Sequence, residues 1–408
     1  MSEPSASNLS RRRFLERSLA YGAVAAAPST AAKAVSASTA KRSREPGFSL
    51  WCAPGGLISP TRPSDEPAVI DFVEKCARHG VTHLIPTRGS PILAQAAAKK
   101  GIVMHPYMAF NSHGARRIRA NWSLNYIGLP YGSARLKEKL DRHRPIWNSP
   151  RAVLSVSPFA EKHPDWWALD REGDRDLKLG SRLSMSLAVP EVRSYVVDRY
   201  MNIVEESGGH GIQVEFVSEL RDRHGAAIHG YEPPMVEEYR KRYGKSPLEL
   251  PNHDPDWLRF RAGFVTETLR ALRRRLKEHR PEAPLSIAVI AQDLAGPHGD
   301  RYLGVFQDLR AWLDESLMDA LYLWFRTTSD VNRVQRHTSQ LSELIGGRCP
   351  LIVELSCYHV GSFQDPKLML EAARAALANG AESVGMYRGH AVDQLNFWPL
   401  IEEIRSLG

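Results

Sequence analysis

The sequence has 408 residues, of which 43% are hydrophobic and 25% are charged, and its formal net charge is +8. This composition is typical of a soluble globular protein that is long enough to bury a large core. No run of eighteen apolar residues occurs, so no membrane span is predicted in the mature chain. The basic residues form no dense tract, so nucleic acid is not a predicted partner, whereas an anionic substrate is compatible with the charge.

The first forty residues have the pattern of an export signal. The segment "SRRRFLERS" at 10–18 resembles a twin-arginine signal, with paired arginines before Phe14 and Leu15, and an alanine-rich stretch follows it. Cleavage is expected after Ala34, Ala37 or Ala40. We therefore predict that residues 1–40 are a signal peptide that the twin-arginine export machinery reads, and that the protein is periplasmic or extracellular. The alternative is a disordered basic N-terminus. Loss of 1–40 removes five basic and two acidic residues, which lowers the net charge from +8 to +5.

Past residue 45, short apolar runs alternate with amphipathic segments. The runs are continuous rather than strictly alternating, as expected of strands that are covered on both faces. There are eight, at 48–52, 82–86, 102–110, 211–216, 285–290, 319–324, 351–356 and 383–389. The clearest helical segments between them lie at 67–80, 91–101, 190–209, 254–279 and 366–380. Eight strands alternating with helices predict an α/β fold, a (β/α)8 TIM-type barrel. A doubly wound open sheet is the main rival, but no glycine-rich phosphate loop follows the first strand.

One connection is far longer than a minimal barrel needs. Residues 109–189 separate the third and fourth runs, and residues 217–253 form a second, smaller excursion. Both follow strands, so both are expected at the C-terminal face, where barrel enzymes have their active sites. We predict one domain over 46–408, with the insertion 109–189 lying over the barrel mouth as a lid or sugar platform. Its aromatic content supports this prediction: Trp122, Tyr126, Tyr131, Trp147, Trp166 and Trp167.

Two glutamates stand near the ends of predicted strands. Glu215 closes the fourth run, "GIQVEF", and shares a face with Gln213, while Glu354 lies in the seventh run, "LIVELS". An unpaired carboxylate is costly to bury, but it is tolerated at a barrel mouth, where water reaches it. A pair of carboxylates across one mouth is what glycoside hydrolysis needs, one to protonate the leaving oxygen and one to attack the sugar or activate water. We predict that Glu215 is the general acid/base and Glu354 its ionised partner. Each glutamate could instead form an ion pair with a neighbouring arginine, such as Arg326 or Arg388.

Further polar and aromatic residues are expected at the strand ends. Arg388 could keep Glu354 ionised or bind the acid group of a sugar, and the aromatic side chains could stack on sugar rings. His105 lies in mid-strand and is expected to be a satisfied core histidine. The predicted substrate-binding residues are Gln213, Asp293, Tyr322, Trp324, Tyr358, Arg388 and His390.

Several stretches resemble the glycosyl hydrolase-like family 10 proteins, a group of bacterial barrel hydrolases. They are "KHPDWWALDREG" (162–173), "LSMSLAVPEVRSYVVDRYMNIVEE" (183–206), "GIQVEF" (211–216), "GYEPPMVEEYRKRYGKSPLEL" (230–250) and "DWLRFRAGFVTETLRALRRRLK" (256–277). The similarity covers roughly residues 48–405. It implies a barrel, export and action on a polysaccharide or oligosaccharide. The family usually has aspartate at the position of Glu215. Glutamate keeps the negative charge but carries it one methylene farther from the backbone.

Two other functions remain open at this point. Glu215, Asp293, Glu354 and His359 could hold a divalent cation in a sugar isomerase-like barrel, although no compact ligand motif is present. A carbohydrate-binding barrel without catalysis would also explain aromatic side chains at strand ends. No cofactor is predicted. The four cysteines, Cys52, Cys76, Cys349 and Cys357, do not make a disulfide framework in a chain of this length.

Overall fold

The structure is a computed structural model that describes residues 47–52, 66–87, 89–110, 114–118, 152–173, 184–216, 221–222, 224–292, 294, 300–359 and 361–408. The predicted signal peptide and much of the predicted insertion lie outside these residues. In the described part of the chain, no helix is long and apolar enough to span a membrane.

The eight predicted strands are all present as one parallel sheet. The barrel strands are β1 (Phe48–Cys52), β2 (His83–Pro86), β3 (Val103–Met104), β4 (Tyr107–Ala109), β7 (Ile212–Glu215), β8 (Leu285–Ile290), β9 (Ala320–Phe325), β10 (Leu351–Ser356) and β11 (Ser383–Tyr387). A separate two-stranded antiparallel sheet pairs β5 (Gly114–Ile118) with β6 (Ala152–Val156). The sheet order is β3-β2-β1-β11-β10-β9-β8-β7-β4. The prediction of an α/β barrel is therefore confirmed.

The third predicted strand is divided, and the division shows how the sheet closes. β3 pairs with β2, and β4 pairs with β7. The two halves of this one run are therefore the first and the last strand in the order of the sheet. Only His105 and Pro106 separate them, and proline has no N–H to give to a strand partner. A parallel bridge between Thr87 and Tyr107 joins β2 to the second half as well. The ring thus has eight strand positions.

Helices cover the outside of the ring. They are α1 (Glu66–Arg78), α2 (Pro91–Lys99), α3 (Pro158–Lys162), α4 (Pro190–Ser207), α5 (Pro233–Tyr243), α6 (Pro255–His279), α7 (Leu309–Asp314), α8 (Val331–Ile345), α9 (Pro366–Ala378), α10 (Gly389–Gln394) and α11 (Trp398–Arg405). Their ends follow from local chemistry. Asp254 caps α6 by accepting hydrogen bonds from two backbone N–H groups, and α4 ends at Gly208 in the left-handed region.

Alternation along each strand divides the buried side chains into two cores. Outward residues such as Leu50, Val214 and Val353 pack against the helices in the larger core. Inward residues form a second core inside the ring, which is mostly aromatic: Trp51, Ile85, Tyr107, Ala288, Tyr322, Trp324, Ile352 and Tyr387. The side chains of this inner core separate the deeper inward polar groups from solvent at the barrel mouth.

The described end of the insertion packs on the excursion after β7. The N–H groups of Gly230 and Tyr231 both donate to the carbonyl of Leu169, and Arg171 donates to Tyr231 Oη over 2.9 Å. On the other side of the excursion, Arg261 of α6 is 2% exposed and donates to the carbonyls of Ala227, His229 and Asn252. One guanidinium group therefore joins two loop segments to a helix.

We expect Arg261→Met to lower the free energy of unfolding by roughly 2–4 kcal/mol, because it leaves several buried carbonyls without a donor. Arg259→Met is the matched control, since Arg259 lies on the same helix with its side chain 65% exposed. Urea unfolding curves of both variants measure the effect. Equal midpoints for the two variants would show that the Arg261 hydrogen bonds do not stabilise the fold.

Candidate active site at the barrel mouth

The mouth of the barrel, at the C-terminal ends of its strands, is lined by a tight aromatic cluster. Trp51 lies 4.6 Å from Tyr107 and 5.6 Å from Trp324 between ring centroids, and Tyr387 lies 4.5 Å from Trp324. Trp51 and Tyr387 are in register on neighbouring strands, so both point inward. These four rings form a floor below the loops that follow the strands.

Glu215 is the last residue of β7, and its side chain is 8% exposed. Its in-register neighbours are Ala109 on β4 and Ala288 on β8, whose short side chains leave room around the carboxylate. The negative charge of Glu215 raises the pKa of both Tyr107 and Tyr387, although burial is the larger cause in each case. Glu215 therefore lies within electrostatic range of two phenols of the aromatic floor.

Gln213 and His105 lie deeper in the ring than Glu215. Gln213 is fully buried, in register with Tyr107 on one side and Ser286 on the other. It points inward as predicted, but it lies below the barrel mouth and not at it. Neither of its amide atoms has a hydrogen-bond partner among the described residues. His105 is also buried, but its two ring nitrogens have no such partner within the described chain, so it is not the satisfied histidine that was expected. Burial, with the nearby His83 and His210, lowers the pKa of His105 to about 3.

Glu354 also points inward, but it is 0% exposed. It is the fourth of six residues in β10, and its Oε1 accepts a hydrogen bond from the Ser49 hydroxyl. Gly385 lies between Ser49 and Glu354 in register, and a Cβ there would lie 2.6 Å from Glu354 Oε2. The carboxyl group is thus packed against the backbone of β11, deeper than the water-exposed position expected at the mouth.

Burial determines the protonation state of Glu354. It raises the pKa of Glu354 to about 8, while the Ser49 hydroxyl and the neighbouring indole of Trp51 act in the opposite direction. Glu354 is therefore protonated at neutral pH. The predicted role of Arg388 was to keep this group ionised, but the Arg388 guanidinium lies over the rings of Tyr358 and Tyr387, at 4.8 and 5.0 Å from their centroids.

A histidine held by three neighbours lies beside the aromatic floor. His359 stacks on Tyr387 at 5.4 Å, its Nε2 lies 3.2 Å from Arg326 Nε, and its Nδ1 lies 2.9 Å from Ser356 Oγ. Burial and the charges of Arg326 and Arg388 lower the pKa of His359 to about 3. The imidazole is therefore neutral; since Arg326 can only donate, Nε2 accepts and Nδ1 carries the proton that it donates to Ser356.

Tyr358, Arg388 and His390 form the exposed edge of the mouth. Tyr358 is 44% exposed, and its ring lies 5.0 Å from that of His390. Burial and the Arg388 charge lower the pKa of His390, so its ring is neutral at pH 7. Of the sequence-predicted binding residues that the structure describes, these three are the ones that solvent reaches.

The other predicted binding residues differ in position. Tyr322 is 3% exposed in the inner core, where burial and Glu354 raise its pKa, and Trp324 is 2% exposed within the aromatic floor. Asp293 lies outside the described residues. Within those residues, no group of three or more His, Cys, Asp or Glu side chains is arranged to hold a metal ion. All four cysteines are free thiols.

Sequence patterns assign no catalytic or sugar-binding role to Trp51, Tyr107 or Tyr387. They indicate Arg326 only as an ion-pair partner of a glutamate and His359 only as a ligand of a divalent cation. Trp51, Tyr107 and Tyr387 occupy inward positions near the ends of strands, so alternation within the predicted runs was a usable signal for them. Arg326 and His359 follow strands in loops, where no periodicity indicates where a side chain points.

The closed ring of parallel strands with surrounding helices, and polar groups gathered at its C-terminal mouth, defines an α/β barrel of the kind found in glycoside hydrolases. The PgaB (BpsB) glycoside hydrolase domain from Bordetella bronchiseptica has a similar fold, with a TM-score of 0.57 at 11% identity over 88% of this chain and 98% of that one. The beta-galactosidase from Marinomonas ef1 gives a TM-score of 0.49 at 13% identity, over 84% of this chain and 54% of that one.

The family assignment is more specific than the fold. Residues 149–369, which are more than half of the chain, match the sequence model of the Glycosyl hydrolase-like 10 family. The chain belongs to this family, which confirms the resemblance seen in its sequence. Comparison with curated proteins gives no significant match.

Proposed function

We propose that the protein is an exported glycoside hydrolase that cleaves glycosidic bonds of a polysaccharide or oligosaccharide at the barrel mouth. The observation that carries the proposal is the position of Glu215, a carboxylate at the end of β7 with alanines on both sides and phenols within electrostatic range. Membership of a glycosyl hydrolase-like family supports it.

In the finer form of the proposal, Glu215 and Glu354 act as the carboxylate pair. Glycoside hydrolysis needs one protonated and one ionised carboxyl group. Burial keeps Glu354 protonated up to about pH 8, so the proposed roles are the reverse of those predicted from the sequence. Glu354 would be the member that holds the proton, and Glu215 the member that meets the sugar or its attacking water. Because Glu354 is fully buried, the pair requires neighbouring side chains such as Trp51 to move when substrate binds.

A carbohydrate-binding barrel without catalysis is the second candidate. The burial of Glu354 favours it, because Glu215 is then left as a single reachable carboxylate of the predicted pair. The exposed ring of Tyr358 would serve sugar binding in either case.

Titration of residues 41–408 against a panel of polysaccharides separates the two candidates. Binding is followed by calorimetry and cleavage by the appearance of new reducing ends, with and without a chelator. A hydrolase is expected to release reducing ends at an undiminished rate in the chelator. Binding without new reducing ends would support the non-catalytic barrel, and a rate that collapses in the chelator would support a metal-dependent enzyme.

Export is tested by replacing Arg11 and Arg12 with lysine in the full chain. The twin-arginine pattern depends on the arginine pair, so we expect the double variant to stay in the cytoplasm while the parent protein leaves it. Cell fractionation with an antibody against the barrel measures both. Unchanged export of the double variant would remove the signal-peptide assignment and leave the hydrolase proposal intact.

We also propose that the insertion 109–189 contributes a sugar platform above the mouth. Its described end packs against the excursion after β7, through the contacts of Leu169 and Arg171. Phe159 stacks on Tyr195 at 4.2 Å, which ties the same end to α4. These contacts anchor the insertion near the strand that carries Glu215.

A further inference from the structure

The mouth has a marked asymmetry of charge. Glu215 lies at the end of β7, whereas Arg326 and Arg388 follow β9 and β11 on the side where His359 stands. His359 is neutral, so it does not add to the positive charge there. Within the described residues, Arg388 forms no ion pair with a carboxylate. A positive charge at a substrate site that forms no ion pair of its own attracts an anionic group.

The Arg388 guanidinium group is held in place and incompletely satisfied. It is sandwiched against the rings of Tyr358 and Tyr387, at 4.8 and 5.0 Å from their centroids. Its Nε is buried and donates to no acceptor in the described part of the chain. A buried donor without an acceptor costs free energy that a ligand oxygen can recover. The planar fork of arginine matches the two oxygens of a carboxylate.

The neighbours of Arg388 suit a sugar ring. Tyr358 offers an aromatic face that is 44% exposed, and His390 lies 5.0 Å from it. His390 Nδ1 has no hydrogen-bond partner among the described residues, so it is available to a hydroxyl group. Tyr387 lies beneath Arg388 and packs on Trp51 at 5.4 Å between ring centroids, and Trp51 lies 4.6 Å from Tyr107. Tyr107 belongs to β4, which pairs with the strand that ends at Glu215, so the cluster and Glu215 share one barrel mouth.

We propose that Tyr358, Arg388 and His390 form a subsite for a sugar that bears a carboxylate, so that the substrate class is an acidic glycan. This inference rests on the proposed function for its setting. Arg388 binds the carboxylate, Tyr358 stacks on the ring, and His390 hydrogen-bonds to a hydroxyl group. The subsite lies at the same barrel mouth as Glu215, the carboxylate that is proposed to act on the glycosidic bond.

Binding to the Glu215→Gln form of residues 41–408 tests the subsite without cleavage. The probes are polygalacturonate, alginate and hyaluronan, each compared with its methyl ester, which keeps the backbone and removes the charge. We expect at least one acid form to bind at least about tenfold more tightly than its ester, and Arg388→Gln to abolish that ratio. Arg388→Lys should restore part of it, since lysine keeps the charge but not the fork. Arg259→Gln, with a side chain that is 65% exposed on α6, should leave the ratio unchanged.

The subsite is refuted if no acid form binds more tightly than its ester, or if Arg388→Gln weakens acid and ester equally at an unchanged melting temperature. Failure of the proposed function looks different. An acid polysaccharide that binds through Arg388 but yields no reducing ends with the parent protein would remove the hydrolase and keep the subsite. Cleavage of neutral polysaccharides alone would keep the hydrolase and remove the subsite.

Discussion

Glu215→Gln is expected to lower the rate of glycosidic cleavage by about 10²–10⁴-fold, the range over which positioned proton-transfer groups act. Glutamine keeps the size and the hydrogen-bonding reach of the side chain but cannot ionise. Because Glu215 is a strand-end residue with alanine neighbours, the change should leave the melting temperature and the affinity for sugar nearly unchanged. Reducing-end assays under saturating substrate measure the rate.

Two further variants make this test specific. Glu278→Gln alters an exposed glutamate near the end of α6 and should leave the rate unchanged. Glu215→Asp introduces the acid that the family usually has at this position, and it should keep far more activity than the glutamine variant. If Glu215→Gln cleaves as fast as the parent protein, Glu215 is not the catalytic carboxylate.

Glu354→Gln is expected to change how stability depends on pH. The folded-state pKa of Glu354 is about 8, above the ordinary value of 4.5, so the protonated form stabilises the fold fully below pH 4.5. That contribution is lost as the pH rises through 8, at up to about 1.4 kcal/mol per pH unit. Glutamine mimics the protonated group and does not titrate. The variant should therefore gain stability relative to the parent protein as the pH rises from 4.5 to 8.

The acid side provides an internal reference for that measurement. His105 and His359 have pKa values lowered to about 3, so their contribution to stability is present above pH 6.5 and is lost as the pH falls toward 3. Below pH 4.5, where Glu354 is protonated in both the folded and the unfolded chain, the two proteins should lose stability to the same degree. Melting temperatures from pH 3 to 9 record both limbs. Parallel curves above pH 6 would show that Glu354 is ionised in the folded protein.

The cleavage rate of Glu354→Gln also tests whether Glu354 and Glu215 act as a catalytic pair. The paired mechanism predicts that Glu354→Gln loses cleavage by orders of magnitude while remaining folded. A variant that keeps its turnover and only loses the alkaline slope would make Glu354 a structural acid of the barrel interior. Glu215 would then be the single catalytic carboxylate of the predicted pair.

The strand framework could be predicted because the barrel strands are short, mostly apolar runs that are buried on both faces. The eight runs needed no knowledge of long-range contacts, and the boundaries differ from the observed ones by a few residues. The division of the third strand was also visible in principle, since Pro106 stands in the middle of its run. The resemblance to a hydrolase family rested on longer stretches and is confirmed by the family match.

Depth within the barrel could not be predicted from the same pattern. Alternation places both Glu215 and Glu354 inward, but Glu215 ends its strand and Glu354 has two residues of β10 above it. The groups that close over Glu354 come from β1 and β11, far away in sequence. The stacking of Arg388 on Tyr358 likewise joins two loops that no local signal connects. Contacts of this kind depend on the closed ring, which brings distant strand ends together.

A crystal structure of the Glu215→Gln protein with an oligosaccharide from the best-bound polysaccharide tests the central claim most directly. We predict that a glycosidic oxygen lies within about 3 Å of the residue 215 side chain, with one sugar ring on Tyr358. The separation between residues 215 and 354 would then indicate the outcome, about 5–5.5 Å for retention and about 6.5–9.5 Å for inversion. A sugar bound elsewhere on the chain, with no glycosidic bond near residue 215, would contradict the proposal that this barrel mouth is a hydrolase active site.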